Sequence, residues 1–280
     1  MAELLDPTTV RRLAEQINLR PTKQRGQNFV HDANTVRRIV EKSGITAADV
    51  VLEIGPGLGS LTLGLLETGA QVTALEIEDT LAELLPQTVA ELQPGAAERL
   101  RVVNADALEV TELPGQPPTA VVANLPYNVS VPVLLHMLAT FDLWRTSLVM
   151  VQLEVAERLV ARPGSKVYGV PSAKIAWSAD AVKVGTVPPT VFWPVPNVDS
   201  GLVRLTRHDP PQTDATREQV FQLIDLAFAQ RRKMLRSALS GLFGSSAAAS
   251  EAITAAGIDP TARGEVLDIT QFVRLAEQLR

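Results

Sequence analysis

Val50-Val51-Leu52-Glu53-Ile54-Gly55-Pro56-Gly57-Leu58-Gly59-Ser60 decides the fold. The first five residues are an apolar, β-branched run of strand length, and Ser60 to Glu67 is helical in pattern. Strand, glycine loop, helix is a nucleotide-cradling unit. Glycines let the backbone approach a ligand closely, and a helix N-terminus offers free N–H groups. A dinucleotide fingerprint places its third glycine five residues after the first. Here that position is Ser60, and Gly59 comes one place early, which points away from nicotinamide and flavin.

Downstream, the alternation continues. A strand over Gln71 to Leu75 ends in Glu76, whose carboxylate suits both hydroxyls of a ribose. A helix over Thr80 to Leu92 leads to a strand over Leu100 to Asn104, followed by Asp106. Asp106 suits either an adenine amino group or a plain helix cap. The next strand, Val121-Val122-Ala123, stops at Asn124-Leu125-Pro126-Tyr127-Asn128. Pro126 cannot extend a ladder. A helix over Val131 to Ala139 and a strand over Ser147 to Gln152 complete the repeat, with Ser172 to Ser178 and Gly201 to Thr206 expected as the last strands. Gly55, Glu76, Asp106 and Asn124 thus end successive strands, where an open parallel sheet has its ligand crevice.

The Asn124 stretch has a chemical reading. A nucleobase amine is a poor nucleophile because its lone pair is delocalised into the ring. The Asn124 side-chain oxygen and a carbonyl of Leu125 or Pro126 could each accept one amine hydrogen, turning the lone pair toward an electrophile. Tyr127 could stack on the base. An Asx-turn followed by a core tyrosine is the plain alternative.

Upstream, Asp6 to Leu19 reads as an amphipathic helix, Arg20 to Val30 as a basic loop, and Asp32 to Ser43 as a helix. After Asp209-Pro210-Pro211 the pattern turns wholly helical: Thr216 to Leu242, Ala247 to Ala256 and Ile269 to Leu279. The expected domains are therefore 1–208 and 209–280. In the first of these helices Leu223, Leu226, Ala227 and Met234 would face a core, while Arg232 and Arg236 would share an i, i+4 face flanked by Lys233.

Composition sets limits. The chain has 280 residues, 46% of them hydrophobic, which is enough for one large domain and a small one. It has no cysteine, which excludes disulfides and thiolate chemistry. His31, His136 and His208 lack ligand spacing, so no metal site is expected. Met1 to Lys23 has no apolar core of signal-peptide length and no stretch approaches the length of a membrane span, so a cytoplasmic protein is expected. The net charge is −5, yet it is uneven: residues 31–100 hold eleven acids and four bases, whereas Arg231, Arg232, Lys233 and Arg236 cluster without an acid. A local basic face can coexist with an acidic body.

Together, Gln27-Asn28-Phe29, EIGPGLG, Glu76, Asp106 and NLPYN resemble the ribosomal RNA adenine N6-dimethyltransferases of the small subunit. The resemblance continues through EVAERLVARPGSKVYG (154–169), VFWPVPNVDSGLV (191–203) and FAQRRKMLRSAL (228–239), nearly the whole chain. It implies a doubly wound, Rossmann-like α/β sheet of the class I methyltransferase type with a small C-terminal all-helical, RNA-binding domain. It also implies S-adenosylmethionine as cofactor and, as substrate, two adjacent adenines near the 3′ end of 16S ribosomal RNA in a small-subunit precursor, each dimethylated. A monomer is expected.

Carried over by residue, the resemblance implies that Asn28 and Val30 close over the methionine end of the cofactor. Gly55, Gly57 and Gly59 line its loop, Glu76 holds the ribose, Asp106 meets the adenine, Ile77 and Ala107 are further cofactor contacts, and Asn124 joins cofactor and target. Asn124, Leu125, Pro126 and Tyr127 form the catalytic stretch. Arg162, Lys166, Phe192, Arg231, Arg232, Lys233 and Arg236 are the candidate RNA contacts. For Phe192, stacking opposite Tyr127 and packing in the core are both open. Arg162 and Lys166 suit either a phosphate grip or a solvated turn. Three positions depart from the family pattern: Glu78 for a common aspartate, Val30 for leucine and Asn197 for lysine. Alternatives are a large-subunit RNA methylase, and an assembly checkpoint factor whose methylation is incidental.

Overall fold

The computed structural model describes residues 3–20, 27–126, 129–142 and 144–279. The chain divides into two compact units, 1–156 with 182–207 and 157–181 with 208–280.

In the first unit, the carboxylate of Asp6 accepts from Thr9 N at 2.7 Å and starts α1 (Pro7–Gln16). The short strand β1 (Phe29–Val30) precedes α2 (Ala33–Ser43), which Asp32 caps in the same way through Thr35 N at 2.6 Å. Such caps contribute about 1 kcal/mol each. The alternation then runs β2 (Val50–Ile54), α3 (Ser60–Glu67), β3 (Gln71–Glu76), α4 (Asp79–Leu92), β4 (Leu100–Asn104), β5 (Ala120–Asn124), α5 (Ser130–Thr140) and β6 (Thr146–Gln152). After α6 (Leu153–Leu159) and α7 (Val170–Ile175) come β7 (Ala179–Val187), β8 (Phe192–Trp193) and β9 (Ser200–Arg207).

The sheet order is β4-β3-β2-β5-β6-β9-β7. Neighbours from β4 to β6 are parallel, and β9 runs antiparallel to β6. Connections proceed outward from β2 on one side and from β5 on the other. The switch point therefore lies between them, where Ile54 pairs with Ala123 and both strands end beside one crevice. Val51, Leu52, Val121, Val122, Val149 and Val151 are at most 1% exposed, as strands covered on both faces require. Each such aliphatic side chain contributes roughly 1.5–3 kcal/mol. Leu52→Ala would cost about 2–5 kcal/mol and loosen the strand that carries the glycine loop.

In the second unit, α8 (Arg217–Ala229), α9 (Leu235–Ala238), α10 (Ser246–Ala255) and α11 (Ile269–Ala276) share a core with α7. Tyr168, Ala173, Trp177, Val220, Leu223 and Phe272 are buried in it, and the Tyr168 hydroxyl donates to the Leu267 carbonyl at 2.8 Å. Among the described residues no helix is long and apolar enough to cross a membrane.

Three expectations are corrected. Residues 157–181 group with the helical unit, so the chain does not divide once at 208/209. The reason is visible in Ala173 and Trp177, which pack on the α8 core rather than on the sheet. Those two residues are spaced i, i+4, and Pro171 suits a helix's first turn, so the expected strand over Ser172 to Ser178 is largely the helix α7, with β7 following it. The expected long helix from Thr216 breaks at Gln230, where φ is −121° and ψ 49°. Leu235 N then donates to the Ala262 carbonyl, and Leu235 and Leu239 fill the core, while Met234 is 43% exposed.

Candidate active site

The glycine loop leaves β2 through Gly55, whose N–H donates to the Leu75 carbonyl at 2.8 Å. Gly57 lies at φ 57°, and a Cβ there would stand 2.7 Å from the Phe29 ring. Both the backbone angle and the close approach demand glycine. Phe29 is itself pinned by the β1–β8 ribbon: Phe29 pairs with Trp193, Val30 with Phe192, and His31 N donates to the Val191 carbonyl at 2.9 Å. Gln27-Asn28-Phe29 is thus fastened across the loop.

Glu76, at the end of β3, is 5% exposed. One carboxylate oxygen accepts from Gly57 N and the other from Glu78 N, both at 3.1 Å. Burial raises its pKa, and the backbone donors oppose that rise. Each oxygen keeps a lone pair for a ligand hydroxyl. Nearby Glu53, buried in the middle of β2, accepts from Thr62 Oγ1 at 2.6 Å, and its burial pushes the carboxyl up to about 8.

At the end of β5, the Asn124 amide nitrogen donates to the Asn28 carbonyl at 3.1 Å. That contact spends the amide's donor end on the protein and leaves the oxygen as the end available for an incoming N–H group. Leu125 N donates to the Met150 carbonyl at 3.0 Å, and the Pro126 carbonyl accepts from Val129 N at 3.3 Å. Tyr127 lies outside the described residues.

These elements enclose one cavity. Of the residues expected at the cofactor, Asn28, Val30, Gly55, Gly57, Glu76, Ile77 and Asn124 line it. Gly59, Asp106 and Ala107 do not. Gly59, at φ 95°, faces Leu85 at 2.7 Å from where its Cβ would be, so it serves the packing of α3 on α4. Asp106 caps its own turn, accepting from Leu108 N at 2.8 Å. The cavity also takes in Gln27, Glu53, Pro56, Ser60 and Met150, to which sequence reasoning gave no role. Glu53 had a legible signal, since a carboxylate inside an apolar strand is an anomaly.

The candidate RNA contacts divide. Phe192 is 1% exposed within the first unit's core, so the packing alternative holds and stacking on a base is corrected. In the helical unit, Arg231 Nε donates to Glu265 at 2.9 Å and another of its guanidinium nitrogens to the Lys166 carbonyl at 2.8 Å. Arg162, Lys166, Arg232 and Lys233 are exposed, and Arg236 is partly so. Arg232 and Arg236 do not share a helical face, because α8 ends at Ala229 and α9 begins at Leu235, which leaves Arg232 in the turn between them and Arg236 on α9.

The family profile of ribosomal RNA adenine dimethylases matches residues 7–280. This chain belongs to that family. It is 69% identical to the ribosomal RNA small subunit methyltransferase A of Cutibacterium acnes, over 99% of this chain and 94% of that one. It is 61% identical to the protein of the same name from Thermobifida fusca, over 99% and 96%. Among solved structures, the 23S rRNA methyltransferase ErmE superposes with a TM-score of 0.66 at 28% identity, covering 90% of this chain and 99% of that one. A dimethyladenosine transferase from Plasmodium falciparum gives 0.72 at 22% identity, over 88% and 95%, and shares the fold. As a member of the family the chain is a methyltransferase whose methyl donor is S-adenosylmethionine. The cavity fits that donor: a glycine cradle without side chains, a buried carboxylate placed for a ribose diol, and the 60% exposed Ile77 beside it for a base.

Proposed function

We propose that this enzyme methylates N6 of two adjacent adenines near the 3′ end of 16S ribosomal RNA, dimethylating each within a small-subunit precursor in the cytoplasm. The observation that carries the chemistry is the Asn124–Asn28 hydrogen bond, in which the amide nitrogen donates and its oxygen is left as the acceptor end. The choice of RNA rests on relatives named for the small subunit at 69% and 61% identity, against 28% for the large-subunit enzyme.

Asn124 Oδ1 accepts one hydrogen of the target amine, and the carbonyl of Leu125 or Pro126 accepts the other. The nitrogen becomes more tetrahedral, and its lone pair leaves the ring's conjugation. Tyr127, next in sequence, stacks on the extruded base. When bound, S-adenosylmethionine supplies a methyl carbon activated by a sulfonium. Glu76 holds the cofactor's ribose, Ile77 its adenine, and Asn28 and Val30 its methionine end; Asp106 and Ala107 lie outside the cavity's lining and reach the adenine from its rim, beside Glu76, whose carbonyl accepts from Ala105 N. Because the amine gains positive charge as it is methylated, no strong base is needed, and the proton leaves afterwards to water. The protein's part is positioning and polarisation.

In the helical unit, Arg162, Lys166, Arg232, Lys233 and Arg236 bind RNA phosphates. Incubation with undermethylated small subunits and labelled S-adenosylmethionine, followed by mapping of the modified nucleotides, tests the whole reading. With large subunits incubated in parallel, label confined to two adjacent adenines near the 3′ end of the small-subunit RNA is expected; label in the large-subunit RNA instead would overturn the reading.

A further inference from the structure

Among the described residues, the helical unit exposes three large hydrophobic side chains: Val167, Met234 and Val266, at 44%, 43% and 49%. Exposed apolar residues scattered singly are ordinary, but hydrogen bonds gather these three. Arg231 ties the Lys166 carbonyl to the Glu265 carboxylate, at 2.8 and 2.9 Å, and the Tyr168 hydroxyl donates to the Leu267 carbonyl at 2.8 Å. Segments 166–168 and 265–267 therefore lie side by side. Tyr168 and Leu267 are buried, which leaves Val167 and Val266, each one place earlier, abreast on the outside. Segment 231–235 is joined to 262–265 at both ends, through the Arg231–Glu265 pair and through Leu235 N, which donates to the Ala262 carbonyl at 2.7 Å. With Leu235 buried, Met234 stays outside next to it. Cations flank this strip: Lys166 precedes Val167, and Arg232 and Lys233 precede Met234, all three exposed and in no ion pair among the described residues.

A rim of unpaired cations calls for a polyanion, while the apolar strip inside it calls for a surface less polar than phosphate. RNA offers both, because ribose and base faces lie between its phosphates. We propose that Val167, Met234 and Val266 pack on sugar and base faces of ribosomal RNA, between the phosphates that the flanking cations hold. This goes beyond the phosphate contacts and rests on the reading of the helical unit as RNA-binding. The two kinds of contact differ in their salt response. A phosphate contact releases counterions and steepens the fall of affinity with salt, whereas apolar burial releases none and raises affinity equally at every salt concentration.

The test measures binding of the full chain to undermethylated small subunits over a range of salt concentrations. The triple variant Val167→Thr, Met234→Gln, Val266→Thr keeps the size of each side chain and makes it polar. It should bind about tenfold more weakly at every salt concentration, with the log–log slope unchanged. Thermal melting confirms that it folds. A photo-crosslinking residue placed at position 234 should join to RNA. Unchanged affinity would make the strip an ordinary solvated surface, and a lower slope would mean that these residues only hold the cations in place; either overturns the proposal, as would crosslinking to a ribosomal protein instead of RNA. Subunit binding by the parent protein that showed no salt dependence would instead remove the RNA-binding reading on which the proposal rests.

Discussion

The two units handle charge in opposite ways. In the first, Glu53 and Glu76 sit at 1% and 5% exposure, each satisfied by one or two short hydrogen bonds, beside a cavity lined by a glycine loop. In the helical unit, Arg162, Lys166, Arg232 and Lys233 stand in solvent, and the Arg231–Glu265 pair is itself about one-third exposed. Desolvated groups are few, strongly coupled to their neighbours and costly to remove. Solvated cations act collectively and are each worth little. Substitutions in the crevice should therefore be large and specific, and those on the helical unit small and salt-dependent.

Glu53 provides the largest contrast. Unfolded, it loses its proton near the ordinary value of 4.5; folded, it keeps it to about 8. Between these values the native state binds more protons, so stability falls as pH rises. The penalty is absent below the unfolded pKa and complete above the folded one. Glu53→Gln keeps an acceptor for Thr62 without ionising. Its stability relative to the parent protein should rise by about 1 kcal/mol per pH unit, roughly 3–5 kcal/mol across the window. Urea melts at pH 5, 6.5 and 8 measure this, and parallel curves would mean that Glu53 ionises as an exposed acid does.

Asn124→Ala comes next. It removes the acceptor that Asn28 orients while keeping β5 and Pro126. Single-turnover methylation on saturating undermethylated subunits should slow by ~10²–10³. RNA affinity should hold. A folded variant with an unchanged rate would mean that the amide only shapes the loop. Glu76→Ala should follow, weakening S-adenosylmethionine by roughly 1.5–3 kcal/mol through loss of a charged acceptor and leaving RNA affinity alone. An unaltered cofactor dissociation constant would take Glu76 out of the ribose site.

The same contrast explains what the sequence made legible. Strand ends β2, β3 and β5 were placed by periodicity and by the polar residue that stops each run, because a sheet covered on both faces tolerates only apolar residues until the crevice begins. Ser60 and Gln27 carry no such signal; that Ser60 Oγ and Gln27 Oε1 are buried without a hydrogen-bond partner among the described residues shows only in the structure. Phe192 was ambiguous because its strand, β8, is two residues long and is created by pairing with β1. In the helical unit the apolar spacing runs on through Gln230 to Leu239, and nothing local announces that Leu235 will bond Ala262 instead of continuing α8. Segment 157–181 joined the wrong domain for a similar reason: Ala173 and Trp177 fit an alternating strand as well as a helix until α8 is there to bury them.

The smallest expected effect sharpens the comparison most, because it asks whether Arg231 belongs with the solvated cations at all. Its guanidinium bridges Glu265 and the Lys166 carbonyl, and Gly164 N donates to the Glu265 carbonyl at 2.8 Å. The loop bearing Arg162 and Lys166 is thereby tied to the 264–266 turn at two points. On this geometry Arg231 holds the loop in place, and we expect it to add less to phosphate binding than the exposed cations do. Arg231→Gln and Glu265→Gln should each weaken subunit binding by about 1 kcal/mol or less, and the double variant should lose little more than either alone. Arg232→Ala with Arg236→Ala should instead flatten the salt dependence by about one unit of log–log slope per lost phosphate contact. If Arg231→Gln also removes a full unit of slope while Glu265→Gln does nothing, Arg231 contacts RNA directly and the bridge seen here gives way in the complex.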